Sequence, residues 1–130
     1  QNPKPTATLI CPQNEKILLV QRAYEPGKGE WGLPGGFLEL EETLREGAKR
    51  ELKEELNIDA EIGELYSEYV YKYPHIAYKL YFYSVNNYKG KLEYNAHDKI
   101  EWCHPENFDQ YNFLYEDQEL LKFHLKQVLA

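Results

Sequence analysis

Methionine is absent from the 130 residues, and cysteine occurs twice, at Cys11 and Cys103. A chain without methionine is read as one whose natural start was trimmed, so a targeting segment would not be visible. The two cysteines are lone, outside the Cys-x2-Cys spacing of a zinc site, and nothing about them argues for an oxidising compartment. They are expected to be small buried thiols, and a cytoplasmic location is the default expectation. No apolar run approaches the roughly 18–20 residues of a membrane helix, and no charged-then-apolar leader is present, so no membrane partner is expected. Excess basic charge is also missing. With 15 Lys and Arg against 22 Asp and Glu, the net charge of −7 excludes broad electrostatic attraction to nucleic acid. A phosphate ligand remains compatible with this charge if metal ions neutralise a local acidic site.

What is present is an ordinary globular composition, 42% hydrophobic and 28% charged, with twelve tyrosines. Half-buried strand positions account for so many tyrosines most simply, and a stacking surface is the alternative. The length fits one domain spanning residues 1–130. Residues 6–11 and 16–22 read as strands joined by the polar turn Pro12-Gln13-Asn14-Glu15. The continuous run Ile17-Leu18-Leu19-Val20 suits a strand covered on both faces. A loop rich in glycine and proline follows, through Pro26-Gly27-Lys28-Gly29 and Trp31-Gly32-Leu33-Pro34-Gly35-Gly36. Residues 58–73 and 76–88 read as a long hairpin turning at Pro74-His75. A polar segment over 86–99 leads to a short strand at 100–103, and residues 116–129 form a closing helix. This order predicts an α+β fold, a mixed sheet with helices packed on its faces.

From Thr43 the period changes. Leu44, Ala48, Leu52 and Leu56 recur every four residues, the buried stripe of an amphipathic helix. Thr43 and Glu46 match a capping box, and Asn57 is suited to the left-handed conformation that ends a helix. On the polar side Glu51, Glu54 and Glu55 stand at i, i+3 and i+4, within about 100° of one face. Such like charges weaken an isolated helix by roughly 0.2–0.5 kcal/mol per pair. Arg50 and Lys53 can relieve part of that, and a hard divalent cation, which prefers oxygen ligands, relieves more. A solvated acidic face is the plainer reading of three glutamates alone. The glycine-rich approach and the placement of Arg50 favour a site.

Residues 36–58 read Gly36, five residues, Glu42, seven residues, then Arg50-Glu51-Leu52-Lys53-Glu54-Glu55-Leu56-Asn57-Ile58. This resembles the signature box of the Nudix hydrolases, Gly-x5-Glu-x7-Arg-Glu-apolar-x-Glu-Glu-x-Gly-apolar. Eight of nine defined positions agree, with Asn57 standing where the family has glycine. Leu33-Pro34-Gly35-Gly36-Phe37 is also similar to the family, and the resemblance implies its α/β/α sandwich, with which strands before the box and a hairpin and final helix after it agree. The resemblance implies Mg²⁺ or Mn²⁺ held by Glu51, Glu54, Glu55 and the Gly36 carbonyl. Arg50 would orient the glutamates, and Glu42 would be a supporting or outer metal contact. It further implies a carboxylate base at Glu54, Glu55 or in a later loop. Among the loop candidates Glu93, Asp98 and Glu101, Asp98 is favoured.

The implied reaction is hydrolysis of a phosphoanhydride in a small nucleotide, a nucleoside diphosphate linked to another moiety. Pro74 and the loop over 22–36 resemble the branch acting on ADP-ribose or a related sugar nucleotide, which is the favoured substrate. A MutT-like nucleoside triphosphate pyrophosphohydrolase is the alternative, and a nucleotide-binding module without turnover is a third. Arg22 and Lys28 are candidates for phosphate contacts, and Tyr73 and Tyr78, with Tyr69 and Tyr71, for stacking on a base. Relatives that cleave ADP-ribose are often dimers, so a homodimer stays open, although no residue marks an interface.

Overall fold

A computed structural model of the chain describes residues 4–25, 27–72, 77–93, 97–114 and 117–118, and only the backbone at Tyr69, Tyr71, His97 and Asp98. The expected turn at Pro74-His75 and nearly all of the expected closing helix lie outside these residues. The strands are β1 (Lys4–Ile10), β2 (Pro12–Gln13), β3 (Lys16–Arg22), β4 (Trp31–Gly32), β5 (Gly35–Phe37), β6 (Asp59–Lys72), β7 (Ala77–Lys89) and β8 (His97–Cys103). One α-helix, α1 (Leu44–Leu56), follows β5, and a 3-10 helix covers Pro105–Gln110.

Two four-stranded sheets form where one was expected. The first runs β5-β1-β7-β6 and is mixed, because β1 and β7 are parallel while the other pairs are antiparallel. Both edges of β1 are therefore occupied, and β3 cannot join it. The chain instead reverses through Asn14 and Glu15, both at positive φ (53° and 66°). This two-residue hairpin pairs Pro12 and Gln13 with β3 and starts a second sheet. There β8 lies along one edge of β3, and β2 and β4 lie along the other.

Side-chain alternation in β1, β3 and β7 divides the core into two layers. Ala7, Leu9, Leu18, Val20, Tyr83 and Val85 face α1, whose Ala48, Leu52 and Leu56 are fully buried against them. Ile10, Ile17, Leu19, Leu80 and Phe82 face the other way and meet Phe108 and Phe113. The run Ile17-Leu18-Leu19-Val20 is buried throughout, as a strand covered on both faces requires. Cys11 and Cys103 are buried free thiols, and burial pushes the Cys11 thiol up to about 12.

The helix signals hold. Thr43 Oγ1 accepts from the Glu46 N–H at 3.1 Å, and Glu46 Oε1 accepts from the Thr43 N–H at 2.9 Å. Asn57 takes φ 60°, ψ 31°, and its N–H reaches the carbonyls of Leu52 and Lys53. The expected polar loop before the last strand is corrected. Lys99 pairs with Gln21 and His97 with Arg22, so β8 begins at His97 and Asp98 is the extra residue of a bulge. Polar side chains are tolerated there because β8 is an edge strand.

Candidate active site

β5 and α1 build the site together. Gly36 faces α1, and a Cβ added to it would stand 2.7 Å from the Glu51 carboxylate. A side chain there would push the Glu51 carboxylate away from its bond with Arg50. The neighbouring Gly35 N–H donates to Glu55 Oε1 at 3.1 Å, so β5 meets two of the three glutamates through backbone alone.

Arg50 is the hub. Its Nε and Nη2 donate to the two oxygens of Glu42 at 2.7 and 2.9 Å, a forked pair. Nη1 donates to Glu51 Oε1 at 2.8 Å and to Glu54 Oε1 at 2.9 Å, and Nη2 also reaches the Phe37 carbonyl at 3.0 Å. One guanidinium therefore ties β5, the Glu42 loop and two glutamates of α1. The hydrogen bond from Arg50 holds the Glu42 carboxyl below its ordinary range, and the same bond raises the Arg50 guanidinium. Glu42 also accepts from the Glu39 N–H at 2.9 Å, so both of its oxygens are engaged in positioning Arg50. Lys53, expected to relieve the glutamates, instead reaches Asn57 Oδ1 at 3.3 Å.

Burial raises the Glu51 carboxyl, with Arg50 opposing. Burial also pushes Glu55 up to about 8, reinforced by the Glu51 and Glu54 charges and opposed by the Gly35 N–H and by Arg22. Arg22 thus lies near enough to act on Glu55 by charge, and its buried Nε has no hydrogen-bond partner. Among the described residues no three His, Cys, Asp or Glu side chains converge to hold a metal ion. The donors nonetheless suit a hard cation in chemistry, being carboxylate oxygens of which burial, and then like charge, raises two above their ordinary range. Arg50 now lies between Glu51 and Glu54. The Glu54 side chain is 58% exposed, so turning it from Arg50 toward a cation needs no repacking.

The remaining expected residues are spread more widely. Tyr78 lies against Phe37, ring centroids 5.4 Å apart, on the sheet face opposite α1. Lys28 is exposed on the turn before β4, its N–H directed to Glu25 Oε1 at 3.3 Å. Tyr73 lies outside the described residues, as does the side chain of Asp98. Glu101 accepts a 2.5 Å hydrogen bond from the Tyr111 hydroxyl, and the Glu93 N–H donates to the Leu56 carbonyl at 3.0 Å. Sequence reasoning missed Asp117, whose buried Oδ2 accepts from the Leu33 N–H at 3.1 Å and so braces the loop entering β5. No spacing pattern marks it. It missed Phe37 as well, which strand alternation next to Gly36 would have placed on the opposite face.

Comparison with known proteins follows the same lines. The family model described as NUDIX domain matches residues 3–123. A CTP pyrophosphohydrolase from Escherichia coli is 34% identical over 114 residues, covering 87% of this chain and 84% of that protein. An ADP-ribose pyrophosphatase from Methanocaldococcus jannaschii is 42% identical over 60 residues, covering 46% of this chain and 36% of its relative. The solution structure of the E. coli ORF135 protein superposes with a TM-score of 0.86 at 30% identity, covering 94% and 88% of the two chains. By the match along its length and by the shared fold, the chain belongs to the Nudix hydrolase family.

Proposed function

We propose that this Nudix hydrolase cleaves a phosphoanhydride bond in a small nucleotide, with a divalent cation bound on the polar face of α1. The observation that carries the reading is the cluster of Glu51, Glu54 and Glu55, clamped by Arg50 and abutted by the bare backbone of Gly36. Glu51, Glu54, Glu55 and the Gly36 carbonyl would hold Mg²⁺ or Mn²⁺, which supplies charge neutralisation on bridged phosphates and an activated water. The chain's own groups do the rest. Arg50 keeps Glu51 in place, and Arg22 offers an unpaired buried N–H toward a phosphate oxygen. Glu55, protonated at neutral pH without a cation, is the carboxylate suited to take a proton from water once a cation has ionised it. Asp98 stays a candidate for the same role. Tyr78 and Phe37 offer an aromatic surface beside β5.

For the substrate, a nucleoside triphosphate is supported by similarity along most of the chain to a protein named CTP pyrophosphohydrolase. ADP-ribose or a related sugar nucleotide is the second reading. It is favoured by Pro74 and by the shorter match to a protein named ADP-ribose pyrophosphatase. The test is product analysis with Mg²⁺ over CTP, dGTP, 8-oxo-dGTP, ADP-ribose and NADH. Pyrophosphate with a nucleoside monophosphate supports the first reading, and AMP with ribose 5-phosphate the second. Silence across the panel with retained nucleotide binding overturns the hydrolase in favour of a binding module.

A further inference from the structure

Among the described residues, two buried side-chain polar atoms lack any hydrogen-bond partner: Arg22 Nε, on the residue whose charge acts on Glu55, and Thr6 Oγ1. Thr6 is 8% exposed, and it lies away from α1. Its neighbours in β1, Ala7 and Leu9, pack toward the helix, so Thr6 shares the opposite face with Ile10. Directly across the strands Thr6 pairs with Phe37 on one side and Leu80 on the other. Residues opposite each other project to the same face, so the hydroxyl lies in a row between an aromatic ring and a leucine. One step along, Lys4 pairs with Tyr78, whose ring meets Phe37. On the other flank Thr8 pairs with Gly35, which has no side chain. The result is a shelf with an aromatic rim, a bare step at Gly35 and one unpaired hydroxyl in its floor.

A buried hydroxyl without a partner costs roughly 1–3 kcal/mol, and at this position valine would pack as well with better strand propensity. The shelf is also continuous with the site already described, because β5 supplies its wall. Phe37 stands on the shelf, Gly36 abuts Glu51, and Gly35 binds Glu55. A planar ring stacked on the half-exposed Phe37 would lie beside Thr6, its cross-strand partner.

We propose that Thr6 is a specificity-determining residue, its hydroxyl forming a hydrogen bond with an amino or keto group on the edge of the substrate's nucleobase. This rests on the nucleotide reading above and deepens it. A hydroxyl both donates and accepts, so the contact rewards any base with a polar edge there and penalises an apolar ring.

The test uses the whole chain and ligands without a scissile anhydride, so that turnover is not needed. Binding of CMP, GMP, AMP and ribose 5-phosphate is measured by calorimetry for the native protein, Thr6→Val and Thr6→Ser. Thr6→Val is expected to weaken the best-bound monophosphate about tenfold, to leave ribose 5-phosphate unchanged, and to raise the ligand-free Tm by about 3 °C. Thr6→Ser is expected to stay within about twofold of native binding. Undiminished monophosphate binding by Thr6→Val overturns the proposal. So does an equal loss for ribose 5-phosphate, or a native protein that binds none of the three monophosphates. If no substrate is hydrolysed while the Thr6 effect on binding holds, hydrolysis fails and the base contact stands.

Discussion

The two faces of β5 treat buried polar atoms in opposite ways. Toward α1, Arg50 makes five hydrogen bonds to three carboxylates and a carbonyl, and Glu42 is closed on both oxygens. Toward the other face, the Thr6 hydroxyl has no partner; Arg22, beside the cluster, is an exception on its own side and keeps one N–H unpaired. A satisfied network spends its bonding capacity on geometry and is worth most in rigidity. An unsatisfied atom is a standing cost that only a bound molecule removes. The contrast separates groups that hold the site from groups left open to what enters it.

The comparison can be broken most sharply at Glu54, whose exposed side chain contributes little to the fold. Glu54→Gln is expected to lower kcat by about 100-fold or more, with Tm changed by less than about 2 °C. Turnover at the native rate would remove Glu54 from the cation site. Arg50→Ala tests the opposite extreme, since it leaves the largely buried Glu42 and Glu51 carboxylates without their partner. A loss of about 2 kcal/mol in unfolding free energy is expected from denaturant titration. Arg50→Lys should recover only part of it, because an ammonium cannot fork onto Glu42.

A pH series sharpens the same contrast. In the metal-free chain Glu55 is raised from the ordinary 4.5 to about 8, so the folded state keeps a proton that the unfolded chain has lost. This contribution to stability is greatest below the lower value and declines as pH rises toward the upper one. The Tm of native protein in chelator should therefore fall relative to that of Glu55→Gln between pH 5 and 8. Mg²⁺, which needs the ionised form, should reduce the fall. Parallel curves for the two proteins would count against Glu55 as the titrating group. The smallest effect is expected at the helix end. Asn57→Gly, at φ 60°, should stabilise by about 0.5 kcal/mol in thermal unfolding without changing kcat.

Much of this was legible before the structure because the signals are local. The Thr43–Glu46 box, the four-residue apolar stripe and Asn57 each act within one or two helical turns, and all three appear where the spacing puts them. The apolar β3 run and the two long strands β6 and β7 were similarly self-declaring. What stayed hidden depends on distant partners. β4 and β5 are two and three residues long inside a glycine-rich segment, and they exist because β3 and β1 pair with them. The polar start of β8 exists because Gln21 and Arg22 need a neighbour. Within the site, the glutamates were visible as a pattern. Glu42 was read from the family resemblance as a supporting or outer metal contact, and only geometry shows that it grips Arg50. Thr6 was visible only as the first residue of an expected strand, because burial without a partner is a three-dimensional property.

The bond from the Leu33 N–H to Asp117 spans 84 positions of the chain. During synthesis, α1 and the strands around it have emerged well before residue 117 is made. At 5–20 residues per second the interval is on the order of ten seconds. A nascent chain can assemble its glutamate helix in that time, but the loop presenting Gly35 and Gly36 lacks its brace until residue 117 is translated. The order of manufacture thus places the maturation of the surface beside Gly35 and Gly36 after that of the helix that faces it.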